Sequence, residues 1–102
     1  MGIWIRSQDK DDLFYAKIVE ICKRKNDYAV LLNGIEKGRY SSKEKVIKVI
    51  DMINEKIEMN EAIKIIGNIG LNYLESNGIH YNFVFQMPQD DEVKVWMKSL
   101  KD

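Results

Sequence analysis

Trp4 and Arg6 lie two residues apart, and the polar run Ser7, Gln8, Asp9, Lys10 follows at once. An indole stacks on flat rings, and a guanidinium holds a phosphate through two parallel hydrogen bonds. Ser7, Gln8 and Lys10 add donors. Trp4, Arg6, Ser7, Gln8 and Lys10 are therefore the candidate ligand-binding set, and a small anionic ligand such as a nucleotide fits that chemistry. The same residues have a plainer use, with Trp4 in the core and Arg6 lying along it as a rim cation paired with Asp9 or Glu92. The general burial of indoles favours the core role for Trp4. Recognition then falls to Arg6 and the polar run, because a strand end entering a polar loop is a usual place for it.

Other reactive residues are isolated. His80 is the only histidine and Cys22 the only cysteine, and no catalytic motif surrounds either. One His, one Cys and scattered acids give no metal-ligand spacing, and no cofactor motif is present. The acidic clusters Asp9, Asp11, Asp12 and Asp90, Asp91, Glu92 read as caps and solvated turns. Tyr81, Phe83 and Phe85 form an aromatic stripe, but no cations alternate with it as they would on an RNA-binding sheet, so it reads as core.

The elements that must position these residues follow from hydrophobic period. Residues 3–7 alternate as a strand. Residues 13–23 read as a second strand, 28–32 as a third and 35–40 as a fourth. Asn33-Gly34 is a hairpin turn, because both central positions of a type I′ turn need positive φ. Ser41-x-x-Glu44 reads as a capping box. Val46, Ile50, Ile53 and Ile57 then recur at helical spacing and predict a helix over 42–58. A fresh start at Asn60 and Glu61 predicts a second helix over 60–76, weakened by Gly67 and Gly70, and the pattern leaves open whether 42–76 is two helices or one bent helix. Residues 79–87 alternate as a last strand ended by Pro88, and Asp90 caps a short helix carrying Val93, Trp96, Met97 and Leu100. The expected fold is one α+β domain over residues 1–102, with an antiparallel sheet of about five strands (four N-terminal, one C-terminal) packed on two central helices. On the second helix, Ile63, Ile66, Gly67, Gly70 and Leu74 form a candidate self-association surface, since a small-residue pair admits close approach and the helix is more apolar than one sheet face can cover. A homodimer is expected.

Bulk properties narrow the partners. Sixteen Lys+Arg balance sixteen Asp+Glu, which argues against general nucleic-acid binding, where a basic surface must neutralise phosphates. The chain is 45% hydrophobic and 31% charged, a globular composition. A single cysteine excludes an intrachain disulfide and fits a reducing cytoplasm. The start of the chain has no signal-peptide pattern, and the most apolar stretch, residues 62–74, is broken by Lys64, Asn68 and Asn72, too polar for a membrane span.

WIRSQDK at 4–10, GRYSSKEKVIKVIDMI at 38–53 and VFQMPQDDEV at 84–93 resemble a family of small proteins carried by phages and mobile elements of Gram-positive bacteria. Lys37 stands where that family usually has Leu, and the segment 58–77 is longer than in a typical member. The resemblance implies a mobile-element origin in a bacterial host cell and no reaction. Binding is therefore expected rather than catalysis. The leading expectation is a trap for a nucleotide signal of host antiviral defence. The second is an inhibitor or adaptor of a host protein. A phosphodiesterase or hydrolase using His80 and an acidic cluster ranks last.

Overall fold

The computed structural model describes residues 2–78 and 81–95. Among the described residues it is α+β, with six strands in two three-stranded sheets and one long, broken helix. Strands β1 (Ile3–Arg6), β2 (Leu13–Ala16) and β6 (Phe85–Gln86) form the first sheet in the order β2-β1-β6. Strands β3 (Val19–Lys23), β4 (Tyr28–Leu32) and β5 (Ile35–Tyr40) form the second, in chain order. The helix α1 runs Lys43–Ser76, and a 3-10 turn covers Asp90–Glu92.

The expected second strand over 13–23 is two strands. The chain leaves the first sheet after the buried Ala16 and enters the second at Val19. Asn33 pins the crossing. Its Oδ1 accepts from the Lys17 and Ile18 backbone N–H groups at 2.9 and 3.1 Å, and its Nδ2 donates to the Tyr15 carbonyl at 3.0 Å. Lys17 and Ile18 lie between the two strands, and Asn33 gives their N–H groups the acceptor that a ladder gives elsewhere. The Asn33-Gly34 turn forms as expected, with φ of 52° and 84°. One five-stranded antiparallel sheet is thus replaced by two smaller ones. β6 also pairs with β1 in parallel, Ile5 opposite Phe85 and Arg6 opposite Gln86, because the helical excursion between them returns the chain in the same direction.

One contiguous core serves both sheets and the first half of α1. Ile3, Ile5, Val30, Leu32, Tyr40, Val46, Val49, Ile53, Phe85 and Met87 are all buried in it. Each fully buried aliphatic side chain contributes ~1.5–3 kcal/mol. The helix is capped by Ser42 rather than Ser41: Ser42 Oγ accepts from the Lys45 N–H at 3.2 Å. Ser41 instead donates its N–H to Asp90 Oδ1 at 2.7 Å. The expected break before Asn60 does not occur. Asn60 is buried within α1, where its Nδ2 donates to the Phe83 carbonyl at 3.0 Å and its Oδ1 accepts from the Tyr81 hydroxyl. The helix breaks at Gly67, whose φ of 71° and ψ of −153° lie in a region open to glycine alone. The last strand is shorter than expected, because the side chains of Tyr81 and Phe83 are engaged with each other and α1 rather than with a sheet. Trp96, Met97 and Leu100 of the expected C-terminal helix lie outside the described residues.

Candidate functional site

The pleat of β1 decides the fate of Trp4. Ile3 and Ile5 point into the core, so Trp4 and Arg6 point out. Trp4 is 48% exposed, which corrects the expectation that it packs into the core. The hairpin register sets Tyr15 opposite Trp4 and Leu13 opposite Arg6. The two aromatic rings meet edge to face with centroids 5.2 Å apart, an arrangement that fixes the indole while leaving it accessible. The outer face of this sheet is thus Trp4, Tyr15, Leu13 and Arg6. Arg24 and Arg39 are tied to Glu36 and Asp27. Arg6 has no ion pair among the described residues, neither with Asp9 nor with Glu92.

The other candidate residues have structural duties. Ser7 is buried, its hydroxyl donating to Asp9 Oδ1 at 2.6 Å and accepting from the Asp12 N–H at 3.1 Å. Gln8 turns its amide onto β5. It accepts from the Arg39 N–H at 2.7 Å and donates to the Arg39 carbonyl at 2.9 Å. Lys10 is exposed at the turn, with φ of 69° and its N–H on the Ser7 carbonyl. Ser7, Gln8, Asp9 and Asp12 line a polar cavity of about 260 Å³ with Glu36, Lys37, Gly38 and Arg39. Its cations are already neutralised, Lys37 by Asp12 at 2.9 Å and Arg39 by Glu36 at 2.6 Å. Such a cavity offers an anion little.

Trp4 borders a second cavity, of about 360 Å³, with Gly2, Ile3, Tyr15, Asn60, Lys64 and Phe83. That volume lies within the range of small-molecule sites. Tyr15, Asn60 and Lys64 were not singled out from the sequence as ligand residues. Tyr15 could have been found by counting back across the loop: if residue 6 pairs with 13, residue 4 pairs with 15. Asn60 and Lys64 come from a helix more than fifty residues away and give no local signal.

The three sequence blocks that carried the family resemblance meet at one seam. Pro88 gives its carbonyl to the Tyr40 hydroxyl at 2.7 Å and to Gln8 Nε2 at 3.3 Å. Gln86 Nε2 donates to the Ser7 carbonyl, and the Met87 N–H donates to the Arg6 carbonyl. Asp90 receives the Ser41 N–H and the Lys45 ammonium. Burial pushes the Asp90 carboxyl up, but the Ser41 hydrogen bonds and the Lys45 charge outweigh it, so the group sits below its ordinary value. The hydrogen bond from Ser7 holds Asp9 low. Burial pushes the Tyr40 hydroxyl up, with Asp90 and Glu92 adding to the effect, so it remains a donor. Asp9 and Asp90, one from each acidic cluster, therefore act as staples.

On α1 the candidate self-association residues scatter. Ile63 is buried, Gly67 is the break, and Leu74 is half-buried beside Tyr81 and Phe83. Gly70 is covered by Ile66, since a Cβ there would fall within van der Waals overlap of the Ile66 side chain. Of the five, Ile66 alone is exposed. Cys22 is half-buried on β3, and His80 lies outside the described residues. Among the described residues no three His, Cys, Asp or Glu side chains converge as a metal site would need, and no helix is long and apolar enough to cross a membrane. No protein-family model, curated protein or solved structure matches the chain.

Proposed function

We propose that the chain is a non-enzymatic binding protein that holds a nucleotide on the outer face of β1 and β2. The observation that carries this reading is the pair Trp4 and Arg6, side by side on one strand face, used by neither the core nor an ion pair among the described residues. Same-face neighbours on a strand are ~6.7 Å apart, so a base lying on the indole leaves its phosphate within reach of the guanidinium. Stacking on an aromatic ring is worth ~1–3 kcal/mol per base, and a charge-assisted bond from arginine adds ~1.5–3 kcal/mol. Tyr15 backs the indole, and Lys10 supplies a further exposed cation at the loop tip. Ser7 and Gln8 support the site by shaping the loop rather than by touching ligand. With no net charge behind it, the site takes a small anion and not nucleic acid at large.

The mobile-element resemblance gives this activity a purpose: a trap that lowers the free concentration of a nucleotide signal of host antiviral defence. A trap returns its ligand intact and needs no nucleophile or metal. The test is a thermal-shift screen against linear and cyclic nucleotides, on wild type and Arg6→Ala. Stabilisation of about 5 °C or more near saturation in wild type, absent in the variant, supports the reading. A flat response from the whole panel contradicts it and turns attention to a host protein as partner.

A further inference from the structure

Where the first half of α1 meets the segment leading into β6, a cavity of about 300 Å³ is bordered by Met52, Glu55, Lys56, Met59, Tyr81 and Phe85. Two thioethers and two aromatic rings make its walls apolar, and small-molecule sites are built in this way around a few polar groups. A cavity of about 150 Å³ already accepts a benzene ring. Tyr81 is a fixed wall. Its hydroxyl donates to Asn60 Oδ1, and its ring meets Phe83 edge to face with centroids 4.8 Å apart. Ring against ring, and sulfur at a ring edge, are both favourable beyond the area they bury. Met52, Met59 and Phe85 offer those contacts to a flat ring and not to an alkyl chain.

One cation gives the cavity a polarity. The Lys56 ammonium lies over the Tyr81 ring, 4.4 Å from its centroid. A ring face attracts the charge but is not a carboxylate, and Lys56 has no ion pair among the described residues. Burial lowers its pKa from the ordinary value. The charge is thus partly stripped of water before a ligand arrives, and an anion there is attracted more strongly than at an open surface. Glu55 also borders the cavity and is exposed. Its charge disfavours a second anionic group, so one negative charge is accommodated better than two.

We infer that this cavity binds a small aromatic monocarboxylate, with its ring among Met52, Met59 and Phe85 and its carboxylate on the Lys56 ammonium. The site shares no residue with the Trp4–Arg6 face, and the inference stands independently of the nucleotide reading.

Titration of the full chain with naphthoate, followed by the methionine methyl signals in NMR spectra, tests it. Met52→Leu and Met59→Leu assign the two signals that matter. Both are expected to shift saturably, while that of Met87, buried in the core, stays in place. Naphthamide, the same ring without the charge, should bind wild type about 10-fold or more weakly, the loss of a charged hydrogen bond. Lys56→Met should lose the difference between acid and amide, and Lys56→Arg should keep it. Circular dichroism confirms that each variant keeps the fold. Met52 and Met59 signals unmoved at millimolar naphthoate overturn the inference, as does equal wild-type affinity for acid and amide, or a preference for the acid that survives in Lys56→Met.

Discussion

The side-chain amide of Gln8 pairs with the backbone of Arg39 as a neighbouring strand would: the Arg39 N–H donates to Oε1 at 2.7 Å, and Nε2 donates to the Arg39 carbonyl at 2.9 Å. One side chain thus ties the β1–β2 loop of the first sheet to the last strand of the second, and a third bond reaches Pro88. Gln8→Ala should lower unfolding free energy by about 1–2 kcal/mol, measured by urea denaturation. Gln8→Glu should fail to restore it, because a carboxylate cannot donate to the Arg39 and Pro88 carbonyls. A Gln8→Glu protein as stable as wild type would show that the pairing carries no weight.

Asp90 makes the fold sensitive to acid. Its pKa is depressed in the folded state below the ordinary value of 3.8. The stability it contributes is therefore fully present above that value and is lost as pH falls through the lower, folded one. Asp9, held low by Ser7, acts in the same direction. Asp90→Asn should be less stable than wild type at neutral pH, and the gap should narrow below about pH 4. Thermal melts across that range read it directly. A constant gap would mean that the Ser41 and Lys45 contacts do not depend on the charge.

Gly67 and Gly70 should respond differently to alanine. At Gly67 there is open space around a Cβ, but φ of 71° is strained for any side chain. The cost is conformational, about 1–3 kcal/mol. At Gly70 the backbone is helical, and Ile66 occupies the position of the missing Cβ. Gly70→Ala should therefore be rescued in part by Ile66→Ala, whereas Gly67→Ala should not. Paired melting curves for the two double variants decide this; equal rescue would remove the distinction.

Local chemistry was legible in the sequence, and long-range pairing was not. The Asn33-Gly34 turn, the four N-terminal hydrophobic runs and the start of α1 follow from residues within a few positions of one another. The cap moved from Ser41 to Ser42 because adjacent serines offer the same group, and only Asp90, far along the chain, claims the first. Residues 13–23 read as one strand because the side chain that bends them, Asn33, lies on another element. Asn60 looked like a cap, but Tyr81 and Phe83 satisfy its amide inside the helix. The face chosen by Trp4 was open until the partners of Ile3 and Ile5 were known. A strand shifted by one residue would have buried the indole instead.

In the proposed reading Trp4 is a ligand platform and Arg6 its anion clamp. The Trp96→Phe chain keeps Trp4 as its sole indole, so its fluorescence reports on that platform alone. Titration with the nucleotide that gives the largest thermal shift should quench it saturably. Arg6→Ala in the same background should weaken binding by about 10-fold or more, the loss of a charged hydrogen bond. Fluorescence unchanged by every nucleotide, or an affinity indifferent to Arg6, would contradict the account.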